Sequence, residues 1–216
     1  MTIIKLWYAP GACSLAPHIA LKEAGIEFES IQLDVFAGLP DEFRKINPKM
    51  RVPVLSIDGE AITEVPAIMT AISQLAPEKR LLGETNLEIV RTYEWMNWLS
   101  GVLHGQAFGG FLRPSRYSDD PDAHPSIKAK GLQTIQECYA TIDDKLTAHT
   151  AVGSRVTAVN AYLYTFYRWG ASLGLDMKAT YPNYTELVEN FLKHWSVEAT
   201  LKEEGIEAVP SPAPQA

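Results

Sequence analysis

Only two cysteines, Cys13 and Cys138, occur in the 216 residues. So few exclude a disulfide framework and point to a reducing, cytoplasmic setting. Histidine is scarce too. The five at positions 18, 104, 124, 149 and 194 are scattered, with no cysteine at zinc-ligand spacing, so no metal is expected. Basic residues are outnumbered, 19 Lys and Arg against 26 Asp and Glu, for a formal net charge of -7. Nothing in that balance offsets phosphate repulsion, which argues against a nucleic-acid partner or an anionic membrane. No run of 18 apolar residues occurs, and the opening MTIIKLWYAPG lacks the apolar region and cleavage site of a signal peptide. What remains, 46% hydrophobic and 21% charged residues, is the composition of a globular chain long enough to bury a real core.

The first 75 residues alternate between strand and helix signals. IIKLWY (3–8) is a short apolar strand run, and SLAPHIALKEAGI (14–26) has helical spacing that closes at Gly25. FESIQLD (28–34) alternates as a strand, and LPDEFRKIN (39–47) predicts a short helix. VPVLSID and AITE flank Asp58-Gly59, a strong hairpin signal, and PAIMTAISQLA (66–76) is helical again. The order is βαβ, α, ββα, which implies a mixed sheet with helices on its faces. From residue 85 strand signals stop. Helices are expected at 86–112, loosening near Gly109-Gly110, then at 124–149, 157–173 and 183–196, the third being the most apolar and hence central. The layout is a small α/β domain (1–77), a linker around 75–84, an all-helical domain (85–207) and a Pro-rich tail (208–216) expected to be disordered.

The stretch YAPGACSLAPHIAL (8–21) places Cys13 between a turn signal and a helix start. Unpaired N–H groups and the helix dipole favour negative charge there, which would lower a thiol's pKa or hold another molecule's thiolate. Packing alone would also account for a buried cysteine. Ser14 suits an N-cap.

Four segments in order carry a family resemblance: Cys13-Ser14 after the first strand, NPKMRVPVL (47–55), TEVPAI (63–68) and TAVNAYLYT (157–165). Together they resemble the cytosolic glutathione S-transferases over roughly residues 3–205, and GACSLAPHIALKEAG with EWMNWLSGVLH is most similar to the bacterial beta class. The resemblance implies a thioredoxin-like βαβαββα domain followed by an all-helical one, with glutathione as co-substrate and a homodimer as the assembly. It implies a cis Val52–Pro53 bond that turns the Val52 amide toward a peptide ligand, with Arg51 beside it. Glu64 would meet the γ-glutamyl ammonium, and the helix start at Val65 its carboxylate. Valine stands where the family usually has serine, which removes one hydrogen bond, worth about 0.5–1.5 kcal/mol. Cys13 would lie beside the glutathione sulfur, with Ser14 as the alternative holder of the thiolate.

Asn97, Gly101 and His104 share one stripe of an ideal α-helix. The resemblance has Asn97 and His104 reaching toward the thiol, and Gly105 replaces the family's lysine. Phe108, Phe111, Tyr117 and Trp169 would wall the pocket of a small hydrophobic electrophile. Thr157 and Asn160 form a capping box at the buried helix. Expected activity is thiol activation for conjugation. One alternative is glutathione-dependent cis/trans isomerisation of a conjugated olefin, in a catabolic or natural-product pathway. Another is a non-catalytic carrier of apolar ligands.

Overall fold

The computed structural model describes residues 2–35, 37–146 and 150–212. Strand β1 (Ile4–Tyr8) lies centrally in a four-stranded sheet of order β2-β1-β3-β4, with β2 at Glu29–Gln32, β3 at Val54–Ile57 and β4 at Glu60–Thr63. β2 pairs parallel to β1, while β3 runs antiparallel to β1 and β4 antiparallel to β3. This is the thioredoxin-like arrangement. β1 alternates buried and half-buried residues, and β3 is buried almost throughout. Asp58 and Gly59 join β3 to β4 with φ of 50° and 93°, the left-handed pair that a two-residue hairpin turn requires.

Helix α1 (Leu15–Ala24) crosses from β1 to β2 and ends at Gly25, whose φ is 68°. The segment expected as a helix at 39–47 forms a 3-10 turn, Asp41–Lys45, since Pro40 and Pro48 bound it too closely for a full α turn. Helix α2 (Val65–Leu75) buries Val65, Ile68, Met69 and Ile72, the i, i+3, i+4, i+7 face. The expected linker is itself anchored: Leu81 and Leu82 are buried, and the Leu81 carbonyl accepts the Ala158 N–H at 2.8 Å.

Helix α3 (Asn86–Trp98) runs into a π-helical stretch, Leu99–Phe108, and then α4 (Gly109–Leu112). The loosening expected at Gly109-Gly110 therefore falls upstream. Gly109 serves close packing instead, because a Cβ there would come within 2.7 Å of the Tyr117 hydroxyl. Helix α5 (His124–Lys145) follows; Thr147–His149, where it was expected to end, lie outside the described residues. Helix α6 (Ala158–Ser172) is the buried centre, opened by the Thr157 N–H donating to Asn160 Oδ1 at 2.9 Å. The expected helix at 183–196 is two helices, α8 (Pro182–Phe191) and α9 (Trp195–Glu204), preceded by a short α7 (Met177–Thr180).

The tail is tied down where it begins. The Ala208 carbonyl accepts from Tyr164 Oη at 2.7 Å and Arg168 Nε at 3.2 Å, whereas Ala213–Ala216 lie outside the described residues. Apolar side chains of both domains join in one core, from Leu6, Leu15 and Ile68 through Met96 and Leu103 to Phe166 and Tyr184. Burial of each stabilises the fold by about 1.5–3 kcal/mol relative to exposure.

Gly170 on α6 marks the tightest approach in that core, since a Cβ would stand 2.4 Å from Tyr139 Cε2 and 2.8 Å from Met177 Sδ. Gly170→Ala should overpack it and lower unfolding stability by about 1–3 kcal/mol, read from urea midpoints. An unchanged midpoint would show that α5 and α7 yield freely there.

Candidate functional site

The turn between β1 and α1 folds on itself. Ala12 and Leu15 donate backbone bonds to Ala9 and Ala12, and the Ser14 hydroxyl both accepts the Ala9 N–H and donates to the Ala9 carbonyl, each at 3.1 Å. Ser14 is fully buried, caps no helical N–H, and has spent its hydrogen. Its two bonds to Ala9 brace the turn. Cys13 points the other way, and its Sγ donates to the Val52 carbonyl at 3.4 Å. Of the two roles open to this helix end, lowering a thiol's pKa or holding another molecule's thiolate, the first does not apply to Cys13 itself. Burial pushes the Cys13 thiol up to about 12, and the backbone donors and Arg113 offset only part of that. Cys13 is a neutral thiol at pH 7.

Across from Cys13, the Val52–Pro53 peptide is cis and the Arg51 carbonyl is pinned by Asn47 Nδ2 at 2.7 Å. No backbone partner for the Val52 N–H is found among the described residues. The Arg51 side chain is exposed. Glu64, just before α2, has φ 71° and ψ 122°, a conformation non-glycine residues rarely hold and one typical of functional sites. Its carboxylate is exposed and bonded to Lys49 Nζ at 2.5 Å, while Lys49 also reaches Thr63 Oγ1 at 2.7 Å. Lys49 was missed because nothing in NPKMRVPVL separates a site lysine from a solvated one. Val65 turns its side chain into the core and leaves its N–H at the helix start.

The π stretch changes the expected stripe on the long helix. With i→i+5 turns from Leu99 onward, His104 rotates off the line of Asn97, and Asn97 lies exposed. His104 packs edge-on against Phe166 at 5.9 Å and Trp169 at 5.2 Å. Burial first, then Arg113, Arg116 and Arg51, lower its pKa to about 4, so it is neutral at pH 7. Trp169 also meets Phe108 at 5.0 Å, but Phe108 is buried and stacked on Phe166, so it backs the wall more than it faces a ligand. Phe111 is half-buried, and Tyr117, half-exposed, donates its hydroxyl to the Gly105 carbonyl. Tyr162 was missed altogether. Its hydroxyl is fully buried, and burial raises its pKa although Ser100 offsets part of that.

The helical domain reaches into the turn from behind. Glu204 Oε2 accepts the Gly11 N–H at 2.8 Å, and Trp169 Nε1 donates to the Gly11 carbonyl at 2.9 Å. The other Glu204 oxygen lies 2.9 Å from Nδ1 of the fully buried His18 on α1. Sequence reading stopped the last helix at 196 and so missed Glu204. Val197 and Leu201 at i, i+4 before Gly205 were the available signal.

Residues 3–74 match the model of the glutathione S-transferase N-terminal domain. Glutathione S-transferase GstA of Escherichia coli O157:H7 is 34% identical over 181 residues, 81% of this chain and 86% of that one. The chain belongs to the glutathione S-transferase family. A sphingomonad glutathione S-transferase solved in complex with glutathione superposes with a TM-score of 0.82 at 32% identity, covering 94% of this chain and 100% of its own. A Sulfitobacter homologue solved with bound glutathione gives 0.89 at 25% identity, covering 96% and 100%. Cationic side chains surround the cleft: Lys49 at Glu64, and Arg51, Arg113 and Arg116 in electrostatic reach of His104. No group of side chains suited to a metal ion is found among the described residues.

His104 provides a pH test of this geometry. Its folded-state pKa, about 4, lies below the ordinary 6.5, so its contribution to stability is present above pH 6.5 and is lost as pH falls toward 4. Between pH 7.5 and 4.5 the wild type should lose roughly 1–3 kcal/mol more unfolding stability than His104→Gln. Equal losses would mean that the ring is solvated and protonates freely.

Proposed function

We propose that this chain activates the thiol of glutathione for attack on a small hydrophobic electrophile. The observation that carries the reading is the convergence, on one cleft, of the Cys13 thiol, the cis Val52–Pro53 bond beside a Val52 N–H with no backbone partner among the described residues, and the strained Glu64 at the start of α2. Each of these offers a peptide ligand what it lacks. The Val52 N–H and C=O suit antiparallel pairing with a backbone. The first N–H groups of α2 suit a carboxylate, and Glu64 an ammonium. Loss of the serine hydroxyl at Val65 leaves the backbone donors in place.

Glutathione supplies the nucleophilic sulfur. The chain's share is to hold that sulfur at the N-terminus of α1, where N–H groups and the dipole favour its ionised form. Cys13, protonated, suits the role of weak donor to that sulfur rather than second nucleophile, since two thiolates at one helix end would repel. Neutral His104 supplies no charge, so cationic help comes from Arg113, which acts on Cys13. In conjugation the thiol proton leaves to solvent, a carbon–sulfur bond forms, and the leaving group departs with its electron pair. The aromatic surface of Trp169, Phe111 and Tyr117 suits an apolar electrophile, and water exclusion there brings the reactants together. Two copies of the chain pairing as a homodimer, in a reducing cytoplasm where Cys13 and Cys138 stay free, complete the proposal.

Incubation with glutathione and a generic aryl halide should give the thioether. Isomerised olefin from a conjugated substrate without thioether would favour the isomerase, and glutathione binding with no product a carrier. Cys13→Ala should lower conjugation by less than about tenfold, because one weak hydrogen bond is worth about 0.5–1.5 kcal/mol. Complete loss with glutathione affinity intact would mean covalent cysteine chemistry. Glu64→Ala should weaken glutathione binding by about 1.5–3 kcal/mol in calorimetry if the carboxylate leaves Lys49 for the ligand ammonium. An unchanged dissociation constant would confine Glu64 to its lysine. Light scattering at micromolar concentration should give twice the mass of the 216-residue chain; a single-chain mass would remove the dimer.

A further inference from the structure

Trp169 is half-buried on α6, and its two ends do different things. Its ring is edge-on to His104 at 5.2 Å, Phe108 at 5.0 Å and Phe166 at 5.2 Å, inside the aromatic cluster of the helical domain. Its Nε1 leaves that cluster and donates to the Gly11 carbonyl at 2.9 Å, two residues before Cys13. Gly11 has no freedom to drift. Its φ is 69°, a Cβ would come within 3.1 Å of Arg168 Nη1, and Glu204 holds its N–H at 2.8 Å. Both polar groups of this one peptide residue are thus taken by side chains of the helical domain, and the turn they fix carries the Cys13 thiol and the N–H groups that open α1.

We infer that Trp169 is a positioning residue that sets the thiol-bearing turn from the apolar pocket, its indole N–H holding Gly11 while its ring faces the second substrate. The inference rests on the proposed thiol chemistry. Donors aimed at a developing charge act only when correctly placed, and misplacement by an ångström can cost two orders of magnitude in rate. Release of the Gly11 carbonyl would let the turn relax from its place opposite Val52, weakening stabilisation of the thiolate without touching the residues that bind the rest of glutathione. An electrophile that shifts the indole would be felt at the same carbonyl, so the two sites are coupled in both directions.

Trp169→Phe keeps an aromatic ring in the cluster while deleting the N–H and part of the indole, and Glu204→Leu removes the acceptor of the Gly11 N–H on the opposite side. For wild type and both variants, calorimetry gives the glutathione dissociation constant, and kcat, KM and the pH dependence of kcat follow with an aryl halide. Trp169→Phe should lower kcat on the order of tenfold and move the alkaline-rising limb of the pH profile upward, with the electrophile KM within about threefold of wild type. Glu204→Leu should move the same limb in the same direction. A raised electrophile KM with an unmoved pH profile would make Trp169 merely a pocket wall and overturn the inference. Should Trp169→Phe fail to fold, an unmoved limb in Glu204→Leu overturns it equally. Failure of the wild type to bind glutathione overturns the functional reading itself, and shows in the calorimetry before any variant is compared.

Discussion

The hold on Gly11 from the helical domain is the contact around which the site is organised. A left-handed residue between a central strand and the helix that follows it would ordinarily be a flexible turn. Here its N–H goes to Glu204 and its carbonyl to Trp169, so the turn becomes a fixed part of the domain junction. Glu204 simultaneously reaches His18 at 2.9 Å, buried among Tyr8 and Phe28, which ties α1 to α9. The Cys13 thiol lies two residues beyond this fixed peptide.

Burial then decides the electrostatics. A thiol at a helix N-terminus is favoured as the anion, but Cys13 is nearly inaccessible, and desolvation outweighs the donors around it. The same balance keeps His104 neutral, with the nearby arginines adding to the effect. The Cys13 and His104 side chains are thus neutral, with positive charge nearby from Arg51, Arg113 and Arg116 and the Glu64 carboxylate paired with Lys49. Such a site can lower the cost of an incoming anionic sulfur without placing a second thiolate beside it. The π stretch Leu99–Phe108 serves the same end geometrically, because it turns the His104 ring onto Trp169 and Phe166 and away from the Asn97 face.

Much of the fold was legible in local pattern. Alternation in IKLWY, the Asp58-Gly59 pair, the i, i+3, i+4, i+7 face of α2 and the Thr157–Asn160 cap each act within a few residues, where sequence spacing and geometry coincide. The cis bond at Pro53 and the place of Glu64 were legible only through resemblance, since nothing local distinguishes them from an ordinary proline and a first-turn acid. What failed were statements about direction and environment. Ser14, open as a thiolate holder or an N-cap, bonds Ala9; for Cys13 the helix end left open its own acidity or a hold on another thiolate, and burial decides against the first; Asn97 and His104 were read on one stripe that the π turns break.

The sequence by itself determined the order of elements, the split into α/β and helical parts, and which residues lie near the end of β1 and the start of α2, because hydrophobic periodicity and turn chemistry are short-range. Only the tertiary structure decided what those residues can do. Glu204 lies 193 residues beyond Gly11 and Trp169 lies 158 beyond it, and no local rule relates them. A pKa, likewise, is set by the solvent a neighbour excludes and the charges that packing brings close, and both depend on where the rest of the chain comes to lie.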